Sequence, residues 1–248
     1  MHPDGQSAAS RLATPQSFYV LAETPCPYLP GRLERKLLTD ISGPGSRRLY
    51  DLLSRAGFRR SHSFAYRPAC HACQACVAVR VKANEFLPSK SQKRALLANQ
   101  MLSVEEAGAR ATQEQYRLFA RYIRSRHGDG DMARMGFADY RAMVEETCLD
   151  TRVAEFRDAE GQLVAACLSD WLEDGPSAVY SFFEPDLAGR SLGTYMVLWL
   201  IQEARRRRLD YVYLGYWIQG ARKMAYKARF RPSEGFGPNG WAPIESQA

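Results

Sequence analysis

Cys70, Cys73 and Cys76 follow one another at Cys-x-x-Cys spacing, and Cys26 lies upstream between two prolines. Thiolates at this spacing can converge on one soft cation, which makes zinc or an iron–sulfur cluster the candidate cofactor at these four positions. The alternative is four reduced thiols packed near one another. The flanks, Tyr66-Arg-Pro68 before and Val77-Ala-Val-Arg80 after, are aromatic and basic, which suits a polar ligand beside the cluster. Cys148 and Cys167 sit in apolar patterns and are expected in the core.

Other residues offer different chemistry. Two apolar runs, 178–183 and 211–217, carry the hydroxyls of Tyr180, Ser181, Tyr211, Tyr213 and Tyr216. Alternate residues of a strand share a face, so such hydroxyls can be presented to a reacting carbonyl. The plainer reading of each is a core tyrosine with its hydroxyl satisfied. Arg222, Lys223, Lys227, Arg229 and Arg231 form a basic run containing no acid, interleaved with Tyr226 and Phe230. That is either a solvated basic face or a contact for RNA or peptide. Lys90, Lys93 and Arg94, with the arginines 205–208, can meet phosphates. A run of arginines at a helix end is equally explained by the helix dipole. No Ser/His/Asp arrangement demands a covalent intermediate.

These groups need a scaffold. The 248 residues are 46% hydrophobic, enough for one large domain or two small ones. The net charge is +7 and the pI about 9.2, a balance that favours a polyanionic partner without requiring one. No apolar run is long enough to span a membrane. The first residues lack the regions of a secretory signal, so a cytoplasmic protein with reduced cysteines is expected. Strands are expected at 18–22, 64–66, 75–81, 101–105, 152–158, 163–172, 178–183 and 211–217. Helices are expected at 46–56, with Leu49, Leu52 and Leu53 as its apolar face, and at 112–126, 137–146, 192–208 and 221–228. Between them lies a basic segment, 89–97, and a Gly/Pro-rich tail closes the chain.

Strand, hairpin, strand, loop, helix, strand, helix is the later part of a GNAT-type acyltransferase fold. The expected class is α+β, with a smaller cysteine-bearing N-terminal α+β lobe (residues 1–100) and a GNAT-like C-terminal lobe (residues 101–248). The loop Ala188-Gly-Arg-Ser-Leu-Gly193 precedes the long helix and can cradle a phosphate on backbone N–H groups. An ordinary serine-capped helix start explains it as well.

Five ordered blocks resemble the arginyl-tRNA–protein transferase family, which attaches an amino acid to protein N-termini. They are Gly57-Phe-Arg-Arg-Ser61 with Tyr66-Arg-Pro68 and the cysteines, and Phe119-Ala-Arg-Tyr-Ile-Arg-Ser-Arg-His127. Then come Tyr180-Ser-Phe-Phe-Glu-Pro-Asp186 with Ser191-Leu-Gly-Thr-Tyr195, Tyr213-Leu-Gly-Tyr-Trp-Ile218, and Lys223-Met-Ala-Tyr-Lys227. The length and the Cys-x-x-Cys-x-x-Cys form resemble its compact bacterial branch. That branch passes leucine from leucyl-tRNA to N-terminal Asp or Glu and so marks proteins for degradation. Pro27 stands where the eukaryotic pattern has a second cysteine, and the adjacent Cys-Cys pair of that pattern is absent.

The resemblance implies Tyr180, Ser181, Tyr216 and His127 as catalytic candidates. It implies Arg32, Arg59, Arg60, Tyr66, Arg80, Lys223, Tyr226 and Lys227 at the protein substrate, with at least one cation clamping the acceptor carboxylate. Lys90, Lys93, Arg94, Arg190, Arg205 and Arg206 are the tRNA candidates. The implied partners are leucyl-tRNA and proteins with N-terminal Asp or Glu, with no membrane. An aminoacyl-tRNA is an activated ester, and an α-amino group with a pKa of about 7.7–8.0 attacks it without a strong base. Three alternatives stand beside this reading: arginine as the donated residue, an acyltransferase using coenzyme A, and a non-enzymatic zinc module binding nucleic acid.

Overall fold

The run Leu163–Trp171 is apolar almost throughout and is buried on both faces. Such a strand belongs in the middle of a sheet covered on both sides. In the computed structural model, which describes residues 15–128, 130–221 and 224–244, it does. The larger sheet has eight strands in the order β14-β13-β7-β12-β11-β10-β9-β8. They are β7 (Cys76–Lys82), β8 (Ser103–Gly108), β9 (Thr151–Arg157), β10 (Leu163–Trp171), β11 (Pro176–Phe183), β12 (Tyr211–Ile218), β13 (Ser233–Gly237) and β14 (Gly240–Pro243). A smaller four-stranded sheet runs β1-β4-β6-β5, and β2 pairs with β3. Those strands are β1 (Tyr19–Val20), β2 (Thr24–Pro25), β3 (Leu33–Glu34), β4 (Lys36–Asp40), β5 (Arg59–Ser61) and β6 (Phe64–Pro68).

The helices are α1 (Ser46–Arg55), α2 (Lys90–Ala98), α3 (Gln113–His127), α4 (Phe137–Glu145) and α5 (Leu192–Arg206). α2 and α3 open with capping boxes, Ser89 with Gln92 and Thr112 with Gln115. The two faces of the large sheet make separate cores. On one, α5 packs Leu192, Met196 and Leu200 with Phe86, Val212 and Phe230. On the other, α3 and α4 pack Leu118, Phe119, Ile123, Tyr140 and Val144 against Phe182 and Leu168. A third cluster, with Ile41, Tyr50, Leu53 and Phe58 against Leu172 and Tyr213, fastens the small lobe to the large sheet. The architecture is the α+β, GNAT-like one with a smaller N-terminal region.

By sheet membership β7 goes with the larger unit, and α2 packs on α5; both lie before residue 100. Three local expectations change. Leu52 of α1 is exposed, because the small lobe takes the face carrying Tyr50, Leu53 and Ser54. The basic segment expected as a helix at 221–228 has a 3-10 turn, Ala225–Arg229, in its described part. Phe230 must enter the core beside Phe86, and Pro232 cannot continue a helix. The tail forms the β13–β14 hairpin, which pairs with β7. Among the described residues, no helix is long and apolar enough to cross a membrane.

Candidate functional site

Every neighbouring pair of the large sheet is antiparallel except β11 and β12. These run parallel and register only at Ser177 with Tyr213. Beyond that point they part, and the carbonyls facing the gap lose strand partners. Arg59 of β5 enters the gap. Its Nη1 donates to Leu214 O at 3.3 Å, and its Nη2 to Ala178 O at 2.6 Å and Val179 O at 3.3 Å. Gly215 makes room, with φ +73 and an ideal Cβ that would stand 1.4 Å from Arg59 Nη1. Lys227 also holds β12. Its Nζ donates to Tyr216 O at 2.7 Å. Burial, and then the nearby Arg59 charge, hold its pKa well below the ordinary lysine range. Lys227 is therefore a buried amine that releases its proton more readily than an ordinary lysine.

A cavity of about 400 Å³ opens beside this gap, lined by Tyr122, Arg126, Ser181, Phe183, Ser191, Gly193, Thr194 and Tyr226. The start of α5 forms one wall. Ser191 has φ 54 and makes no side-chain cap, and the first turn carries no acidic residue. The N–H groups of Leu192 and Gly193 have no helical partner by the geometry of a helix start. An uncapped N-terminus of a 15-residue helix favours an anion or a developing oxyanion. Tyr226 shows 40% of its surface, but burial raises the pKa of its hydroxyl. Burial raises that of Tyr180 as well. Both phenols stay protonated, which makes them donors and not bases.

A second pocket holds Tyr28, Arg32, Lys36, Tyr66 and Tyr216 together with Cys26, Cys70, Cys73 and Cys76. Arg32 Nη1 donates to Cys73 Sγ at 3.1 Å. A backbone N–H from Ala75 and this Arg32 contact lower the Cys73 pKa. Burial, with the neighbouring thiols, pushes Cys76 up to about 11. The four thiols thus share one pocket. Among the described residues, however, no three His, Cys, Asp or Glu side chains are grouped so that they could hold a metal ion. The zinc or iron–sulfur expectation receives no ligand set from this arrangement. Of the two cysteines expected in the core, Cys167 is buried and Cys148 is exposed, its Sγ donating to Ser42 O at 3.4 Å.

The remaining candidates separate clearly. Ser181 lines the first cavity, and Tyr180 packs beside it on Phe119. Tyr216 is not with them: its hydroxyl bridges Gly57 O at 2.9 Å and Tyr66 O at 3.0 Å, locking the small lobe to β12. Arg60 is buried against Asp170, and Arg80 pairs with Glu234 between Tyr211 and Trp241. Arg205 donates to the carbonyls of Ala83, Asn84 and Phe86, Arg206 pairs with Glu203, and Arg190 donates to Ala98 O. These brace the fold. Lys90, Lys93 and Arg94 are exposed on α2, with no acidic partner among the described residues. His127 is the last residue of α3, at the cavity end of that helix's Tyr122–Arg126 turn. Lys223 lies outside the described residues. The loop 188–193, read from the sequence as a cradle on backbone N–H groups, does line the cavity. Sequence reasoning missed Tyr122, Arg126 and Thr194 as cavity residues; all three fall inside the blocks quoted above, so the blocks themselves were the signal.

A parted parallel strand pair, an uncapped helix start and a cavity between them define an acyl-transferring enzyme with a GNAT-like fold. Two family models cover most of the chain: the arginine-tRNA-protein transferase N terminus matches residues 24–94 and its C terminus residues 114–237. The chain belongs to the arginine-tRNA-protein transferase family. It is 57% identical to the aspartate/glutamate leucyltransferase of Paramagnetospirillum magneticum, over 93% of this chain and 94% of that one. It is 55% identical to the aspartate/glutamate leucyltransferase of Rhodospirillum rubrum, over 94% and 95%. Among solved structures it is similar to the C-terminal domain of a lysylphosphatidylglycerol synthetase homologue from Agrobacterium fabrum. The TM-score there is 0.51 at 15% identity, covering 73% of this chain and 61% of that one. This last likeness concerns the fold alone.

Proposed function

We propose that the protein transfers leucine from leucyl-tRNA to the N-terminal Asp or Glu of other proteins, marking them for degradation. The observation that carries this reading is the cavity where β11 and β12 part, bounded by the open N-terminus of α5, with Lys227 and Arg59 bonded to the carbonyls of the parting strands. The names of the relatives supply the donor and acceptor classes.

The chemistry follows from the groups present. The leucyl ester enters the cavity, its side chain against Phe183 and Leu192 and the terminal nucleotide near Arg126. The acceptor's α-amino nitrogen attacks the ester carbonyl, and the carbonyl oxygen becomes an oxyanion. The Leu192 and Gly193 N–H groups are the donors for it, each such donor contributing about 3 kcal/mol. The amine gives up a proton to Lys227, whose lowered pKa eases the return of that proton to the departing ribose oxygen. The ester C–O bond then breaks, the tRNA leaves with its ribose hydroxyl reprotonated, and an amide remains. Holding two large substrates in this geometry supplies roughly 7–11 kcal/mol of barrier lowering, so no covalent enzyme intermediate is needed.

Purified protein given leucyl-tRNA or arginyl-tRNA and a peptide beginning with Asp tests the reading. Leucine should appear on the peptide N-terminus, and RNase should abolish it. Transfer of arginine alone would reassign the donor. RNA binding with no transfer would favour the nucleic-acid-binding module.

A further inference from the structure

An acidic acceptor brings a carboxylate, and that carboxylate needs a cation that the fold has not already paired. Three of the candidate cations have partners. Arg60 Nε donates to Asp170 Oδ2 at 2.7 Å with both side chains buried. Arg80 Nε donates to Glu234 Oε2 at 2.7 Å. Arg32 is turned onto Cys73.

Arg59 differs. It is half-buried, and its guanidinium donates only to backbone carbonyls, those of Leu214, Ala178 and Val179. Among the described residues no Asp or Glu pairs with it. Carbonyl dipoles orient a guanidinium without cancelling its charge, and a cation withdrawn from water with no counter-ion is costly. The backbone is nonetheless shaped to hold it, through the left-handed Gly215. Its position is central. Its cross-strand partner Tyr66 lines the cysteine pocket, and the β11 carbonyls that Arg59 holds lie just before Ser181 and Phe183, which line the first cavity. Lys227, its neighbour, is already bound to Tyr216 O at 2.7 Å and almost wholly buried.

We infer that Arg59 is the specificity residue that reads the side-chain carboxylate of the acceptor's first residue. The inference rests on the leucyl-transfer reading and names the group that selects the acceptor. A carboxylate bound there completes the pairing that the fold leaves open. A guanidinium offers only donors, so the NH₂ of an Asn or Gln amide meets donor with donor.

The test measures kcat/KM with leucyl-tRNA and peptides beginning with Asp, Glu, Asn or Gln, for wild type, Arg59→Gln and Arg59→Lys. A charge-assisted pair lost against an amide corresponds to a preference of about 10- to 100-fold in the wild type. It should shrink to within about threefold in R59Q, read as the ratio of kcat/KM for Asp over Asn and for Glu over Gln, so that a loss common to all four peptides does not enter. R59K should keep part of it. Thermal unfolding and tRNA binding establish that each variant is folded. Should R59Q not fold, the wild-type protein still decides the matter. An Asp peptide, and not its Asn counterpart, should protect Arg59 from an arginine-specific dicarbonyl reagent, read by mass spectrometry. A folded R59Q with the wild-type preference, or equal protection by both peptides, overturns the inference alone. Failure of the wild type to transfer leucine at all overturns the broader reading.

Discussion

At the scale of residues, two buried charges make opposite demands. Lys227 carries its amine in a site that disfavours the proton, while the unfolded chain holds that proton up to about pH 10.4. The unfolded state therefore binds more protons between the depressed folded pKa and that value. Stability must rise with pH across this window, by up to about 1.4 kcal/mol per unit. Lys227→Met should flatten the rise, so urea midpoints at pH 7 and pH 9 should converge relative to wild type. As the proton acceptor of the proposed reaction, Lys227 should also lose about 10²- to 10⁴-fold in kcat on this change. A variant with wild-type kcat would remove it from that role. Arg60 and Asp170 are the contrasting case: an ion pair with side chains 1% and 0% exposed. Thr151 donates to the second Asp170 oxygen at 2.6 Å. Asp170→Ala strands the guanidinium and should cost about 3–5 kcal/mol in urea unfolding. A loss below 1 kcal/mol would mean that water replaces the carboxylate.

At the scale of elements, the site is made by two strands that stop pairing and one helix that starts uncapped. β12 is pulled toward β7 on its other edge, where the register shifts between Tyr213 and Gly215. That shift and the Arg59 side chain keep β11 and β12 apart. Gly193 gives the helix start its open face, since a Cβ there would stand 3.3 Å from the Phe183 ring. Gly193→Val should not weaken the helix, because glycine is already the poorest non-proline helix former. The branched side chain should instead narrow the cavity and raise the KM for leucyl-tRNA by about tenfold, one such group being worth about 1–3 kcal/mol of discrimination. Thermal unfolding and steady-state kinetics together separate the two effects. An unchanged KM would move the leucyl ester out of this cavity.

At the scale of the molecule, the net charge of +7 is an average over very different arginines. Many are spent on carboxylates, as Arg80, Arg152, Arg157 and Arg207 are. Lys90, Lys93 and Arg94 stand on the outer face of α2, next to the groove that Lys93, Leu97, Gln100 and Tyr195 line between α2 and α5. This is the surface we expect to meet tRNA phosphates. Each phosphate contact contributes about 0.7–0.9 to the slope of log K against log salt. Replacing the three residues with Ala should lower that slope by up to about 2 to 3 and weaken leucyl-tRNA binding. The Asp-over-Asn preference should stay as it is. Filter binding across a salt series checks this, and an unchanged slope would place the tRNA elsewhere.

Periodicity was enough to read α3, α4, α5 and β9 to β12 almost to their ends, because each buries a stripe or face that its own residues spell out. The family blocks likewise pointed to β11, to the start of α5 and to Lys227 before any contact was known. Where periodicity misled, a neighbour decided: Leu52 faces solvent because Tyr50 takes the small-lobe core, and the basic segment turns early because Phe230 must reach Phe86. Arg59 and Arg60 mark the boundary of what residue order can tell. They are adjacent, identical in type and equally good candidates on paper. Strand alternation sends one to Asp170 and the other into the gap between β11 and β12. Residue type and spacing determine which groups can carry charge and which faces are apolar. Only the tertiary structure decides which charges are already cancelled, because pairing depends on proximity between segments far apart in the chain.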